Sequence, residues 1–226
     1  MANGNIASTD KDRAEALMDY YKSVYRSSPY DGVRNHMVDT IGNELRVLIV
    51  SKEEVRTELI SLCKHKVAGP DEIHPAIVQP LAEVILGPVN DLFKASLTSG
   101  VVPEDWRKAT VVAIRKTGSR QKAKNYRPVS LTSVLCKCLE HIVRKQICTH
   151  LVTHGLLSSA QHGFTRNNSC LTNLIVFLDE TTRRLDQGRA VEVCYLDFSK
   201  AFDSVSLTLL DTKLPTFALR RRLHVD

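Results

Sequence analysis

Nowhere in the 226 residues do 18 apolar residues follow one another, and the opening Met1-Ala2-Asn3-Gly4-Asn5 carries neither a basic stretch nor an apolar core behind it. The first absence excludes a membrane-spanning helix and the second a secretory leader. The expected protein has no membrane partner and is unsecreted, working in the nucleus or cytoplasm. Six cysteines (Cys63, Cys136, Cys138, Cys148, Cys170, Cys194) sit mostly inside apolar patterns. That placement predicts reduced, buried thiols rather than a disulfide framework. Cys136-x-Cys138-x2-His141 and Cys148-x-His150-x3-His154 raise a zinc-bearing helical protein as an alternative. Residues two apart on a helix lie about 200° around its axis, which keeps Cys136 and Cys138 from sharing one tetrahedral ion.

Acid is scarce in the middle of the chain. Residues 101 to 150 hold eleven lysines and arginines against Glu104, Asp105 and Glu140, a local excess of eight positive charges within a net charge of +6. Clustered cations of this kind suit an acidic polymer, because they displace the counterions condensed on phosphates. The run Arg115 to Arg127 contains no acid and a single glycine, Gly118. It reads as a hairpin tip closing over something anionic, after a strand at Ala109 to Ile114.

The remaining pattern is largely helical. Spacing predicts a helix from Lys11 through Tyr25 with Asp10 as its cap, then a long connection from Ser27 to Glu44 and a short strand at Leu45 to Val50. Ser51-Lys52-Glu53-Glu54 fits a capping box before a helix of about four turns running to Cys63 or Lys64. Pro75 starts the next helix, Gly87-Pro88 interrupts it, and Gly100 ends it. Trp106 reads as packed between a loop and a helix. Leu131-Thr132-Ser133 caps a helix ending near Gly155, and Asn167 or Asn168 caps another through Leu171, Leu174, Ile175, Leu178 and Leu185.

One stretch carries residues chosen for chemistry. Ala190 to Leu196 is apolar except for Glu192, which predicts a largely buried strand, and alternation brings Asp197 out where the apolar run ends. A carboxylate there is costly to desolvate unless it is paired or bound to a cation.

The string Tyr195-Leu196-Asp197-Phe198-Ser199-Lys200-Ala201-Phe202-Asp203 resembles the first palm motif of reverse transcriptases from non-LTR (LINE-type, jockey/CR1-like) retrotransposons. Four further segments match that family in order: Gly69-Pro70-Asp71, Val101 to Trp106, Asn125 to Leu131, and Gln161-His162-Gly163-Phe164. The resemblance implies an α+β fold with helix-rich fingers and the first strand of a reverse-transcriptase palm. It places residues 1–48 as an N-terminal helix and linker and 49–226 as a partial reverse transcriptase domain. It also implies RNA-directed DNA polymerase activity, with an RNA template, a DNA primer, deoxynucleotide triphosphates and Mg²⁺.

Carried over residue by residue, Asp197 becomes the catalytic and metal-binding carboxylate, with the Phe198 carbonyl as a second metal ligand. Lys116, Arg127, Lys200, Ala201 and Phe202 become nucleotide-binding residues, and Gln161 and Gly163 lie near the template. After Val205 the resemblance fades, and no two aspartates are adjacent anywhere in the sequence. The expectation is a right-hand polymerase truncated before its Asp-Asp motif and inactive alone, with a partner chain supplying the missing palm. The competing reading is a non-catalytic nucleic-acid-binding remnant.

Overall fold

The computed structural model describes residues 9–24, 45, 48–198 and 200–219. Expectations for residues 1–8, the whole of the 25–44 connection and the end of the chain after 219 lie outside them. The described residues form two compact units, the first taking residues up to Cys148 and from Phe202 onward, the second Thr149–Ala201.

The first unit is organised by helix packing. Helix α1 spans Asp10–Val24. Thr9 rather than Asp10 caps it, its hydroxyl accepting from the Asp12 N–H at 3.1 Å while the Asp12 carboxylate accepts from the Thr9 N–H at 3.1 Å. Helix α2, Lys52–Ile60, opens on the predicted capping box, with the Ser51 hydroxyl accepting from the Glu54 N–H and the Glu54 carboxylate from the Ser51 N–H. It stops earlier than its apolar spacing predicts, because the Leu62 N–H reaches only to the Leu59 carbonyl, a tightened last turn.

Proline decides the next boundary. Helix α3 is a single turn, Pro75–Val78, and α4 runs unbroken over Ala82–Ser99. The interruption therefore falls at Pro80, which has no N–H to give the Ala76 carbonyl, and not at Gly87-Pro88. Gly87 lacks the Cβ that clashes with a following proline ring in helical backbone, so α4 passes through Pro88. Gly100 ends α4 in left-handed backbone at φ 71°, as its position predicts.

Helix α5, Val134–Thr153, completes the core. Val55 and Leu59 of α2, Val89 and Phe93 of α4, and Cys138 and Ile142 of α5 pack into one buried cluster. Trp106 seals its edge, meeting the Phe93 ring edge-on at 5.8 Å between centroids, which settles it as a packing residue. Ser133 stands before α5 but is fully buried with a hydroxyl that bonds to nothing, so it caps through its carbonyl alone, accepting from the Lys137 N–H. Exposed links tie the helices further: Arg56 to Glu83 at 2.7 Å and His141 to Glu58 at 3.2 Å. Each contributes little beside the packing.

Strands β1, Thr110–Arg115, and β2, Tyr126–Leu131, form a two-stranded antiparallel sheet. Helix α7, Leu207–Lys213, capped by Ser206, leads to a parallel bridge between Leu219 and Leu45. Leu45 thus pairs, but 48–50 take no strand and 46–47 lie outside the described residues.

In the second unit α6 spans Cys170–Asp186, and its cap is Ser169, boxed with Thr172, rather than Asn167 or Asn168. Two predictions fail there. Leu171, Leu174, Ile175, Leu178 and Leu185, read as a core face, are each at least half exposed. The predicted palm strand at Ala190 to Leu196 has no regular structure, and Tyr195 and Leu196 are each 83% exposed. A strand exists by its ladder, and no described segment pairs with this one.

The cysteines also divide. Cys136 and Cys138 are buried as expected, whereas Cys63, Cys148, Cys170 and Cys194 are exposed. Burial, with Glu140 adding, pushes the Cys136 thiol up to about 12, and burial, with Glu58 adding, does the same to Cys138. Alkylation of the native chain near pH 8 should therefore modify four thiols quickly and these two only after unfolding, read by mass spectrometry. Rapid native labelling of Cys138 would contradict the packing. A second test concerns Gly69, where a Cβ would lie 2.6 Å from the Thr132 carbonyl carbon and oxygen and 2.7 Å from the Ser133 nitrogen. Gly69→Ala should destabilise by about 1–3 kcal/mol in urea titration, and a change under about 0.5 kcal/mol would show the contact to be soft.

Candidate functional site

The hairpin register sorts its side chains onto two faces. Thr110 pairs with Leu131, Val112 with Val129 and Ile114 with Arg127 on one face, while Val111 pairs with Ser130, Ala113 with Pro128 and Arg115 with Tyr126 on the other. The Lys116 N–H donates to the Asn125 carbonyl at 2.8 Å and continues the ladder one step. Lys116 therefore shares the Ile114 face, as diagonal neighbour of Arg127 at roughly 7–8 Å between backbones. Both side chains are exposed. Arg115, one residue away in sequence, faces the opposite side.

The loop joining the strands is tied at its base. Gly118 takes φ 81°, and a Cβ there would meet the Asn125 amide nitrogen at 2.8 Å. That amide donates to the Ser119 carbonyl at 2.8 Å, and the Tyr126 hydroxyl donates to the Arg120 carbonyl at 2.9 Å. Arg120, Lys122 and Lys124 thus stand on a shaped loop instead of a free one. Beside its root, α1 packs on the short turn Ala123–Asn125. Tyr21, read from the sequence only as a helix-face residue, is a constituent of this region. Burial raises its phenol above the ordinary value, with Tyr20, Asp203 and Tyr126 adding to the shift.

The second unit holds the template-motif loop and the aspartate segment. The Gln161 side-chain amide donates to the Gly163 carbonyl at 2.8 Å, and the Thr165 hydroxyl donates to the Gln161 carbonyl at 2.8 Å. His162 Nδ1 lies 3.2 Å from the Thr172 hydroxyl. Phe164 takes φ 58° and is 91% exposed. Gly163 itself is not forced by conformation, since a Cβ would make only an ordinary contact of 3.4 Å with the Gln161 amide. A cleft of about 490 Å³ lies between α6 and residues 190–194, lined by His162, Asn173, Phe177, Glu180 and Arg184 among others. Asp197 lies beyond that lining, exposed.

The expected site residues are thus divided. Gln161, Gly163, Asp197, Phe198, Lys200 and Ala201 belong to the second unit, and Lys116, Arg127 and Phe202 to the first. Lys200 adopts left-handed backbone at φ 54°, and Phe198 and Phe202 are each almost four-fifths exposed. Among the described residues no three histidines, cysteines, aspartates or glutamates converge as a metal site. Cys136 instead donates to Glu140 at 3.4 Å, His141 meets Glu58, and the His150 and His154 rings lie 4.5 Å apart. Hard divalent cations take about six or more oxygens, and Mg²⁺ commonly draws several of them from water and substrate phosphates, so one carboxylate with a backbone carbonyl would supply part of such a shell.

The family profile of the reverse transcriptase (RNA-dependent DNA polymerase) matches residues 114–225. The RNA-directed DNA polymerase from mobile element jockey of Drosophila melanogaster is 24% identical over 174 residues, 76% of this chain and 19% of that protein. The Pol polyprotein from type-1 retrotransposable element R2 of Popillia japonica is 31% identical over 110 residues, 49% of this chain and 15% of its own length. A further relative, the "Probable RNA-directed DNA polymerase from transposon BS" of Drosophila melanogaster, is 21% identical over 209 residues, 89% of this chain and 23% of that protein. The chain spans less than a quarter of the length of each of these relatives. From the cationic hairpin through Asp197, residues 114–225 thus match the reverse transcriptase family, and the chain is similar to the polymerases of non-LTR retrotransposons.

Proposed function

We propose that these residues form the nucleotide-gripping and template-facing part of an RNA-directed DNA polymerase. The observation that carries the reading is the hairpin register, which sets Lys116 and Arg127 side by side on one exposed face. Two diagonal cations at that spacing suit a polyphosphate better than a single carboxylate. Arg127 is followed by Pro128, whose fixed φ limits the backbone beside it.

On this reading Lys116 and Arg127 take the triphosphate, the Lys200 and Ala201 backbone N–H groups add to it, and the Phe202 ring lies under the sugar. Gln161 and Gly163 lie along the template, where the absence of a Cβ at Gly163 serves approach and not conformation. Asp197 and the Phe198 carbonyl contribute part of the shell of a Mg²⁺ ion, which supplies charge neutralisation at the phosphates when bound. The reaction class is phosphoryl transfer, in which positioning and electrostatics carry most of the rate. The domain reading is 1–48 as N-terminal helix and linker and 49–226 as partial polymerase domain. Within the cell the partners are an RNA template, a DNA primer and deoxynucleotide triphosphates.

The test is binding. With about four to six cations meeting phosphates, affinity for single-stranded RNA or an RNA–DNA hybrid should fall about 100- to 1,000-fold between about 50 and 200 mM salt. Changing Arg115, Lys116, Lys122 and Lys124 together to Gln should flatten that slope, and Arg127→Gln should weaken binding of a 2′-deoxynucleoside triphosphate. An unchanged salt slope in the quadruple variant would remove the hairpin from the nucleic-acid interface.

A further inference from the structure

Helix α1 precedes the family match by about ninety residues, yet it belongs to the same unit as the cationic hairpin. No residue of α1 is fully buried, and its half-buried positions Leu17, Tyr20, Tyr21 and Val24 recur at helical spacing on one side. Helix α1 packs on the turn Ala123–Asn125, the root of the loop that carries Arg120, Lys122 and Lys124. Among the half-buried positions the Tyr21 hydroxyl is out of solvent and has no hydrogen-bond partner. Leaving a hydroxyl so costs about 1–3 kcal/mol, and the side chain holds this place only because its ring packing outweighs that loss.

The next link is Tyr126. Its backbone N–H closes the 123–125 turn on the Ala123 carbonyl, its hydroxyl holds the Arg120 carbonyl, and its backbone leads directly into Arg127. Asp203, in the motif that contains Asp197, acts on the Tyr21 phenol. A two-stranded hairpin exposed on both faces has little stability of its own. An outside support is therefore required for Lys116 and Arg127 to keep a fixed spacing.

We propose that α1 is a brace for the cationic hairpin and that Tyr21 is its positioning residue. The Tyr21 ring fixes Tyr126 and the 123–125 turn and so presets the Lys116 and Arg127 face before any ligand arrives. The role of the face rests on the polymerase reading, but the bracing does not. Hydrogen exchange on the whole 226-residue chain separates the two. In Tyr21→Ala the bonded amides of Lys116 and Asn125 should exchange about tenfold faster, while core amides of α4 and α5 keep the wild-type rate. Tyr21→Phe should exchange no faster than wild type at any of these amides, because the lost hydroxyl bonds to nothing and its burial is a cost. Tyr21→Leu, which preserves apolar volume without the ring, should loosen the same two amides and serves if the alanine variant does not fold.

Binding of a 2′-deoxynucleoside triphosphate is then titrated in wild-type and Arg127→Gln backgrounds. Tyr21→Ala should weaken it in the first and leave it unchanged in the second, a non-additivity that general destabilisation does not produce. Unchanged exchange at Lys116 and Asn125, or acceleration spread equally over the core, would overturn the brace. Loosened amides with no triphosphate binding by any variant would uphold the brace and overturn the polymerase reading instead.

Discussion

Packing of α2 between α4 and α5 is the constraint on which the first unit depends. Val55 and Leu59 are wholly buried one helical turn apart, in one cluster with Phe93 and Ile142, each also shut off from water. Truncating one such side chain costs about 2–5 kcal/mol, a large share of what a domain of this size has to lose. From this cluster the catalytically interesting parts are carried outward. Trp106 anchors the entry to β1 against Phe93, and the Thr132–Ser133 junction that leaves β2 is held against Gly69. Both ends of the hairpin are thereby rooted in the core while its cations stay in solvent.

Much of this was legible in the residues because it rests on local chemistry. Ser51 with Glu54, Gly100 after α4, and the glycine-containing basic hairpin each state a backbone requirement within a few positions. The break at Pro80 was misread as lying at Gly87-Pro88, although a missing N–H breaks a helix where a missing Cβ helps one past a proline. The apolar face of α6 and the run from Ala190 to Leu196 were not legible. Their pattern announces burial, but burial needs an opposing surface, and periodicity does not say which segment provides it. Among the described residues Tyr195 meets Phe177 at 6.3 Å between ring centroids and otherwise stands in solvent.

The candidate site was legible unevenly for a similar reason. Lys116 and Arg127 could be named from their motif, but their common face follows from a register that only the paired strands define. Tyr21 lies about a hundred residues before Tyr126, and nothing in the helical spacing of α1 points to it. Asp197 was legible as a carboxylate at the end of an apolar run, and the family match includes it. Around it no described cluster of acidic side chains completes a cation site. On the proposed reading Lys116 and Arg127 are the phosphate-gripping face and Asp197 is one metal-binding carboxylate.

Primer extension decides whether these residues catalyse on their own. The purified 226-residue chain is assayed on an RNA template with a DNA primer, deoxynucleotide triphosphates and Mg²⁺, alone and mixed with a separately expressed remainder of a complete relative. Losing one electrostatic contact to a transition state commonly costs about 3 kcal/mol, or a hundredfold. The account predicts no extension by the chain alone and extension in the mixture that Asp197→Asn abolishes. Extension by the chain alone, lost on Asp197→Asn, would contradict it.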